Sequence, residues 1–220
     1  MNSVSTGKLE MVKPLIFSTP MVQAILSGEK TQTRRVTTPP TFPWPAGRYR
    51  LRLNNDGAYW LELIEGNRPM EEYFPCRKSR ILPGDYLWVR ETWRETGVIS
   101  APYAYKASEE KLAFLGETGN VLGFGYKWRP SIHMPRKAAR LFLHVQQVRV
   151  ERLQDITESD SRAEGFAGVE EFANFWDSLV GKVWKIGKDG EAREVNVNGW
   201  EANPWVWVCE FERVVPEGEL

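Results

Sequence analysis

The alternation of apolar and polar residues along the chain is mostly that of short strands. A strand pattern with turn residues at its ends occurs in seven places: residues 15–17, 31–36, 49–64 (a hairpin), 86–89, 102–106, 140–150 (with a β-bulge near 146) and 205–211. The last of these is apolar on both faces, which is typical of a strand buried within a sheet or barrel. These strands predict a small mixed β-barrel with additions.

Helical spacing of apolar residues predicts up to three short helices among the strands. The first begins with Thr19 as its N-cap and stops at Gly28. The second is capped by Thr157 and stops at Gly165, with acidic residues in its first turn. The third covers residues 169–181 with one apolar face. The predicted fold class is therefore α+β, a mixed β-barrel with short flanking helices and inserted hairpins and loops.

A length of 220 residues fits a single domain that buries a proper core. We predict a flexible lead-in at residues 1–13, one domain over residues 14–214, and a short tail at residues 215–220. Insertions are predicted near residues 37–80, which are rich in proline at the start, and near residues 94–131, which are rich in glycine.

Composition narrows the classes of function. Lysine plus arginine equals aspartate plus glutamate at 29 each, so the chain as a whole is not a polycation for nucleic acid, although a local basic patch is compatible with this balance. Two distant cysteines fit a reducing cytoplasm better than a disulfide scaffold. There is no apolar signal segment and no apolar run near the ~20 residues of a membrane span. We expect a cytoplasmic protein without a membrane partner, and the oligomeric state stays open.

The sequence predicts no metal site and no cofactor. Its two histidines, His133 and His144, and its two cysteines, Cys76 and Cys209, have none of the spacings of zinc ligands. It also has no phosphate-binding glycine loop and no serine nucleophile elbow.

Candidate chemistry is concentrated in the stretch SGEKTQTRR, residues 27–35. A lysine in a partly desolvated pocket can act as a base, and a neighbouring threonine hydroxyl can attack a polar bond or orient a water molecule. Lys30 and Thr33 are the candidates. In a strand, Thr33 and Arg35 point to one face and Arg34 to the other. The alternative is an ordinary solvated surface strand.

Several motifs together resemble the ASCH family, a branch of the PUA-like barrels. The stretches are ILSGEKTQTRR with its G-x-K-x-x-T pattern, LPGDYLWVRETW with its P-G-D turn, and the terminal strand NPWVWVCEFERV. With WRPSIHMPRKAARL and VERLQDITESDSRAEGF, the set is similar to the longer ASCH proteins encoded by phages and prophages. The resemblance covers most of residues 13–214 and implies a PUA-like barrel in a bacterial host.

The family is linked to RNA binding, to hydrolysis of the amide of N4-acetylcytidine and to ribonuclease activity. In the branch that hydrolyses acetylcytidine, the active set is a lysine and a threonine of K-T-x-T and a glutamate in a helix after the central strand. The resemblance carries these roles over to Lys30, Thr33 and Glu164. Arg35 or Arg90 would hold the developing oxyanion or a phosphate. The proteins of that branch are short, whereas this chain has insertions near the predicted site, so the resemblance does not identify the substrate.

Further candidates for substrate binding lie in three other stretches. Arg90 and Glu91 end a predicted strand, where the alternative is an ion-paired strand end. Tyr105 belongs to a second stretch, where the alternative is a surface strand. The third stretch combines aromatic and cationic groups that suit a base and a phosphate, and its alternative is a loop packed by cation–π contacts: Trp128, Arg129, Ser131 and Arg136.

These observations leave three functions open. The first is a protein that binds a nucleoside, a nucleotide or single-stranded RNA and hydrolyses an amide or a phosphodiester without a metal. The second is an RNA-binding module without catalysis, in which Lys30 and the arginines only contact phosphates. The third is a structural or morphogenetic phage protein, for which none of the motifs provides a physical reason.

Overall fold

The structure is a computed structural model of the chain. It describes residues 2–4, 12–37, 48–53, 59–65, 81–99, 101–108, 127–180, 183–186 and 192–216. Within this part of the chain the fold is mixed α+β, as predicted. No helix in these residues is long and apolar enough to cross a membrane.

The strands and helices are numbered here in chain order. The strands are β1 (Asn2–Val4), β2 (Lys13–Ile16), β3 (Gln32–Val36), β4 (Arg48–Leu53), β5 (Tyr59–Glu65), β6 (Tyr86–Arg90), β7 (Trp93–Glu95), β8 (Tyr103–Tyr105), β9 (Phe142–Arg152), β10 (Val183–Ile186), β11 (Ala192–Val195) and β12 (Trp205–Pro216). The α-helices are α1 (Thr19–Ser27), α2 (Glu158–Ala163) and α3 (Val169–Leu179). Short 3₁₀ turns occur at Lys106–Ser108, Ser131–His133, Arg136–Ala138 and Leu153–Asp155.

The start of α1 differs from the prediction by one residue. Ser18, with extended backbone angles, is the N-cap, and its carbonyl accepts the first helical hydrogen bond from the Val22 N–H at 3.0 Å. The prediction of Thr19 as N-cap was therefore wrong, because Thr19 is already helical. The predicted stop is confirmed, since Gly28 has φ 86° in the left-handed region that glycine adopts without strain.

The predicted caps of α2 are confirmed. The Thr157 side chain accepts from the Asp160 N–H, and the Asp160 side chain accepts from the Thr157 N–H, which completes a capping box. The helix ends at Glu164, and Gly165 follows with φ 90°. Helix α3 buries Phe172 and Trp176 on its apolar face.

The chain divides into two compact units, each assembled from separate stretches of sequence. Unit 1 contains residues 1–30, 85–144 and 212–220, and unit 2 contains residues 31–84 and 145–211. The two long strands β9 and β12 contribute residues to both units.

Unit 1 is organised by β6. Strand β2 pairs with it in parallel and the first residues of β9 pair with it in the antiparallel direction, while β7 and β8 form a separate antiparallel pair. Strand β1, within the predicted lead-in, pairs in parallel with residues 214–216 of β12. The core of this unit is aromatic, with Trp88, Trp93 and Phe142 packed around Met134.

Unit 2 is organised by β3, β9 and β12. Strand β3 pairs antiparallel with residues 206–210 of β12, and β4 pairs antiparallel with β5 and with Arg149 and Val150 of β9. The hairpin predicted at 49–64 is present as β4–β5, and β10 and β11 form a second antiparallel pair. The residues that connect the strands of each pair lie outside the described part of the chain.

The core of unit 2 packs helices against strands. Phe172 and Trp176 of α3 pack against Val206 and Val208 of β12. In β9, Gln146 is exposed, and residues 148–151, which follow, are buried on both faces. A strand that is buried on both faces must place any charged side chains it carries inside the protein.

Candidate functional site

The predicted site residues are distributed over both units. Thr33, Arg35 and Glu164 belong to unit 2. The remaining eight belong to unit 1: Lys30, Arg90, Glu91, Tyr105, Trp128, Arg129, Ser131 and Arg136. Each group is described within its own unit.

Lys30 is the last residue of unit 1 and follows the end of α1. Its backbone N–H donates to the carbonyl of Ala24 at 3.0 Å, and its side chain is buried, with 2% of the residue surface exposed. Lys30 is therefore not a solvated surface residue, which was the alternative for this stretch.

Thr31 begins unit 2 and is held on both sides by backbone hydrogen bonds. Its N–H donates to the carbonyl of Ala163 at 2.8 Å, and its carbonyl accepts from the Phe211 N–H at 2.8 Å. The first bond ties the start of β3 to the end of α2, one residue before Glu164. The second ties it to β12. The segment is therefore fixed between a helix end and a strand.

The two faces of β3 carry different groups, as the alternation predicted. Thr33 is paired with Cys209 of β12, so these two side chains share one face, and both are buried. Arg35 follows on the same face. Gln32 and Arg34 lie on the other face, where both are buried.

Glu164 lies at the C-terminus of α2 and reaches the strand from its edge. Its Oε1 accepts a hydrogen bond from Nη1 of Arg34 at 3.1 Å, and only 2% of the residue surface is exposed. Burial lowers the pKa of Arg35, and the charges of Glu164 and Cys209 oppose this change. Glu164 therefore acts on arginines of both faces of β3.

Around Arg34 the structure contains a buried ionic cluster that the sequence analysis did not identify. Arg34 Nη2 lies 2.6 Å from Oε1 of Glu151 and 3.4 Å from Oδ2 of Asp160. Arg149 binds the same two acids, with Nε 2.9 Å from Glu151 Oε2 and Nη2 2.8 Å from Asp160 Oδ1. The side chains of Arg34 and Glu151 are fully buried, at 0% exposure each.

The edge of this cluster contains two further polar groups. Arg149 Nη1 forms an ion pair with Glu210, and Arg149 Nη2 donates to the Gln32 side-chain oxygen at 3.2 Å. Two guanidinium groups, of Arg34 and Arg149, thus meet carboxylates from β9, β12 and α2. We name this set, Gln32, Arg34, Arg149, Glu151, Asp160, Glu164 and Glu210, the ionic cluster.

The ionic cluster lowers the pKa of Asp160 and raises the pKa of Arg149. Burial raises the pKa of Asp160, but the Thr157 backbone N–H and the guanidiniums of Arg149 and Arg34 outweigh it and lower that pKa to about 2. Burial lowers the pKa of Arg149, but Glu151, Asp160 and Glu210 together raise it above its ordinary value. The charged forms of both residues are therefore favoured in the folded protein.

Some buried donors of the cluster have no acceptor among the described residues. They are Nε2 of Gln32 and Nε of Arg34, and the hydroxyl of Ser161 beside Asp160 is likewise without a partner there. An unsatisfied buried polar group costs about 1–3 kcal/mol. These groups can donate a hydrogen bond to an oxygen atom.

In unit 1, Glu91 and Arg90 have structural partners. Glu91 is buried and forms a two-pronged ion pair with Arg140, whose Nε and Nη2 each lie 2.9 Å from a carboxylate oxygen. Arg90 stacks over Trp88, with its guanidinium carbon 5.5 Å from the ring centroid, and donates to the Ile132 carbonyl. The ion-paired strand end weighed above is thus present at Glu91, with Arg140 as the partner.

The remaining candidates of unit 1 take part in contacts between arginines and aromatic rings. Tyr105 donates its hydroxyl to the Ala138 carbonyl at 2.7 Å, and Arg140 lies over its ring at 4.0 Å. Arg129 lies over Trp93 at 5.1 Å, and Arg136 lies over Phe142 at 4.6 Å.

Trp128 is stacked in the same way, with Arg94 over its ring at 4.7 Å. Ser131 lies half-buried in a 3₁₀ turn, where its carbonyl accepts from the Met134 N–H at 3.1 Å. The cation–π loop considered as the alternative is present, and Arg129 and Arg136 are exposed on it.

The described residues include no group of three histidine, cysteine, aspartate or glutamate side chains placed to hold a metal ion. The chemistry available in unit 2 is instead that of a hydroxyl, a thiol, guanidiniums and carboxylates in a buried setting. Fold and site together define an α+β protein with a buried ionic cluster at the junction of α2 and β3. No family model matches the chain, and neither do any curated protein or solved structure.

Proposed function

We propose that the chain is an ASCH-type protein with a PUA-like barrel that hydrolyses the amide of a modified nucleoside of the N4-acetylcytidine class. One observation carries the proposal. The hydrogen bond from Thr31 N–H to the Ala163 carbonyl, at 2.8 Å, joins the T-Q-T segment to the residue that precedes Glu164. This contact within unit 2 supports a shared role of Thr33 and Glu164.

The burial of these residues also supports the proposal. Lys30, Thr33 and Glu164 expose 2%, 1% and 2% of their surfaces. A lysine, a threonine and a glutamate withdrawn from water are costly in stability unless they are paired, and groups of this kind are concentrated at functional sites. The surface-strand alternative gives no reason for burying all three.

In the proposed reaction, Lys30 accepts a proton from the Thr33 hydroxyl or from a water molecule that Thr33 orients. The oxygen attacks the acetyl carbonyl, and Arg35 stabilises the negative charge on the carbonyl oxygen. Glu164 relays the proton held by Lys30 to the departing amine as the carbon–nitrogen bond breaks. When Thr33 is the nucleophile, an acetyl ester remains on its oxygen, and a water molecule then hydrolyses this ester to acetate and the free hydroxyl. With one water consumed, the products are acetate and the nucleoside with a free amino group.

The test is the pair of variants Lys30→Arg and Lys30→Ala. A lysine that must lose its proton cannot be replaced by arginine, which stays charged in proteins, whereas a lysine that only contacts an anion can. We expect Lys30→Arg to abolish turnover of N4-acetylcytidine while ligand binding persists. The assay is hydrolysis by wild type and both variants, with melting temperatures to verify folding.

Equal turnover by wild type and Lys30→Arg would rule out the role of Lys30 as a base. Absence of turnover by the wild type on N4-acetylcytidine and on short RNA would reject the enzymatic proposal. In that case the second candidate, binding of single-stranded RNA without catalysis, is the better one. It is favoured by residues 127–140 of unit 1, which contain five lysines and arginines and no acid in a chain of zero net charge.

A further inference from the structure

Arg34 joins Glu164 to Glu151 and Asp160 within the ionic cluster. We propose that Arg34 is a positioning residue, which holds the Glu164 carboxyl group in one orientation for proton transfer. This inference rests on the proposed role of Glu164 in the reaction. Arg34 does not itself contact the reacting atoms in this scheme.

The first argument is the position of Glu164 on its helix. Glu164 is the C-cap of α2 and has helical backbone angles, φ −78° and ψ −9°. The C-terminus of a helix carries partial negative charge, so a carboxylate there is unfavourable unless a cation offsets it. The guanidinium of Arg34, with Nη1 at 3.1 Å from Oε1, is such a cation.

The second argument is the shape of the contacts that Arg34 makes. Its Nη1 binds Glu164 at the end of α2, while its Nη2 lies 2.6 Å from Glu151 of β9 and 3.4 Å from Asp160 in the first turn of α2. One rigid fork thus connects both ends of α2 to β9. Arginine can do this, because its donors are fixed in a plane, and lysine, a single point charge, cannot.

The third argument is that the anchors of Arg34 are themselves fixed. Glu151 also binds Arg149 at 2.9 Å, and Asp160 is held by its capping box with Thr157. Arg34 therefore has no freedom to follow Glu164 if that side chain rotates. The orientation of Glu164 is determined by a network that is buried and multiply connected.

The experiment compares Arg34→Met and Arg34→Lys with the matched control Arg162→Met, which removes an exposed arginine from the same helix. We expect both Arg34 variants to lower kcat for N4-acetylcytidine about 100-fold with KM changed less than about threefold, which corresponds to about 2.7 kcal/mol of lost transition-state stabilisation. In a Glu164→Gln background, Arg34→Met should have no further effect on kcat, because Arg34 acts through Glu164.

A readout that does not need turnover is the carboxyl ¹³C signal of Glu164 in glutamate-labelled protein, assigned by its loss in Glu164→Gln. At a fixed pH of 7 we expect this signal to move or broaden in Arg34→Met, since the guanidinium no longer holds the Glu164 side chain in one orientation. If Arg34→Met fails to fold, Arg34→Lys provides the same comparison with a smaller change in the Glu164 ¹³C signal.

An unchanged position and width of the Glu164 ¹³C signal in a folded Arg34 variant would overturn the positioning role, whatever the kinetics. So would a kcat of the Arg34 variants equal to that of wild type. A wild type without turnover would reject the proposed function, and the ¹³C measurement would still decide whether Arg34 controls Glu164. The two failures are therefore distinguishable.

Discussion

Removal of the Glu151 carboxylate is the most direct test of the ionic cluster as a source of stability. Glu151 has no exposed surface and binds two guanidiniums, at 2.6 Å from Arg34 and 2.9 Å from Arg149. Glu151→Gln keeps the shape of the side chain, but it removes the negative charge and turns an amide NH₂ toward one of the two donors. Two buried cations then share fewer acceptors.

The expected loss can be worked out from these contacts. Removing one partner of a buried ion pair costs about 3–5 kcal/mol. Asp160 and Glu164 still accept from Arg34, at 3.4 and 3.1 Å, so we expect the lower end of that range, about 3 kcal/mol. For a chain of this size each kcal/mol lowers the melting temperature by about 2–4 °C, which gives about 6–12 °C for Glu151→Gln.

The assay is urea unfolding at pH 7, followed by tryptophan fluorescence, with melting temperatures measured in parallel. The matched control is Glu201→Gln, an exposed glutamate in a turn, which should change the free energy of unfolding by less than about 0.5 kcal/mol. If Glu151→Gln stays within about 1 kcal/mol of wild type at the same m-value, the burial of the cluster is not a source of stability. The reasoning above would then be refuted.

Two further predictions concern acid stability and nucleic acid. Because the pKa of Asp160 is about 2 in the folded protein and 3.8 in a free side chain, its carboxylate stabilises the fold above about pH 4, and this contribution is lost as the pH falls to about 2. Above about pH 4, Asp160→Asn should be less stable than wild type by about 1–2 kcal/mol after screening. In acid-dependent unfolding this difference in the free energy of unfolding should shrink as the pH falls to about 2, and a difference independent of pH would contradict the assignment. For the RNA-binding candidate, Arg136→Ala should weaken binding of a short RNA and flatten its salt dependence by about one contact, whereas exposed Arg162→Ala should not; equal slopes would exclude a phosphate contact at Arg136.

The parts of the fold that depend on local chemistry were predictable from the sequence. Gly28 and Gly165 end helices because they adopt positive φ, and Thr157 starts a helix because its hydroxyl accepts a backbone N–H. These rules act within a few residues. The error at Thr19 is also local, since Ser18 and Thr19 are adjacent residues that both cap helices and Pro20 fits a helix that begins after either one.

The ionic cluster could not be assembled from the sequence in the same way. Arg34 and Glu151 are 117 positions apart, and neither belongs to a motif. The alternation of residues 148–151 predicts that Arg149 and Glu151 face away from the core, whereas the structure buries both. The alternation in β3 also placed Arg34 on the face opposite Thr33, but it did not indicate what Arg34 binds there.

Each unit is assembled from separate stretches of sequence, so neither unit is encoded by one continuous segment of the gene. The chain passes between them after residues 30, 84, 144 and 211, and the last two of these points lie inside the strands β9 and β12. A gene fragment that encodes one unit alone would have to be joined from separate pieces and would end in the middle of a hydrogen-bonded strand. Recombination within the gene cannot therefore exchange one unit for another without breaking both long strands.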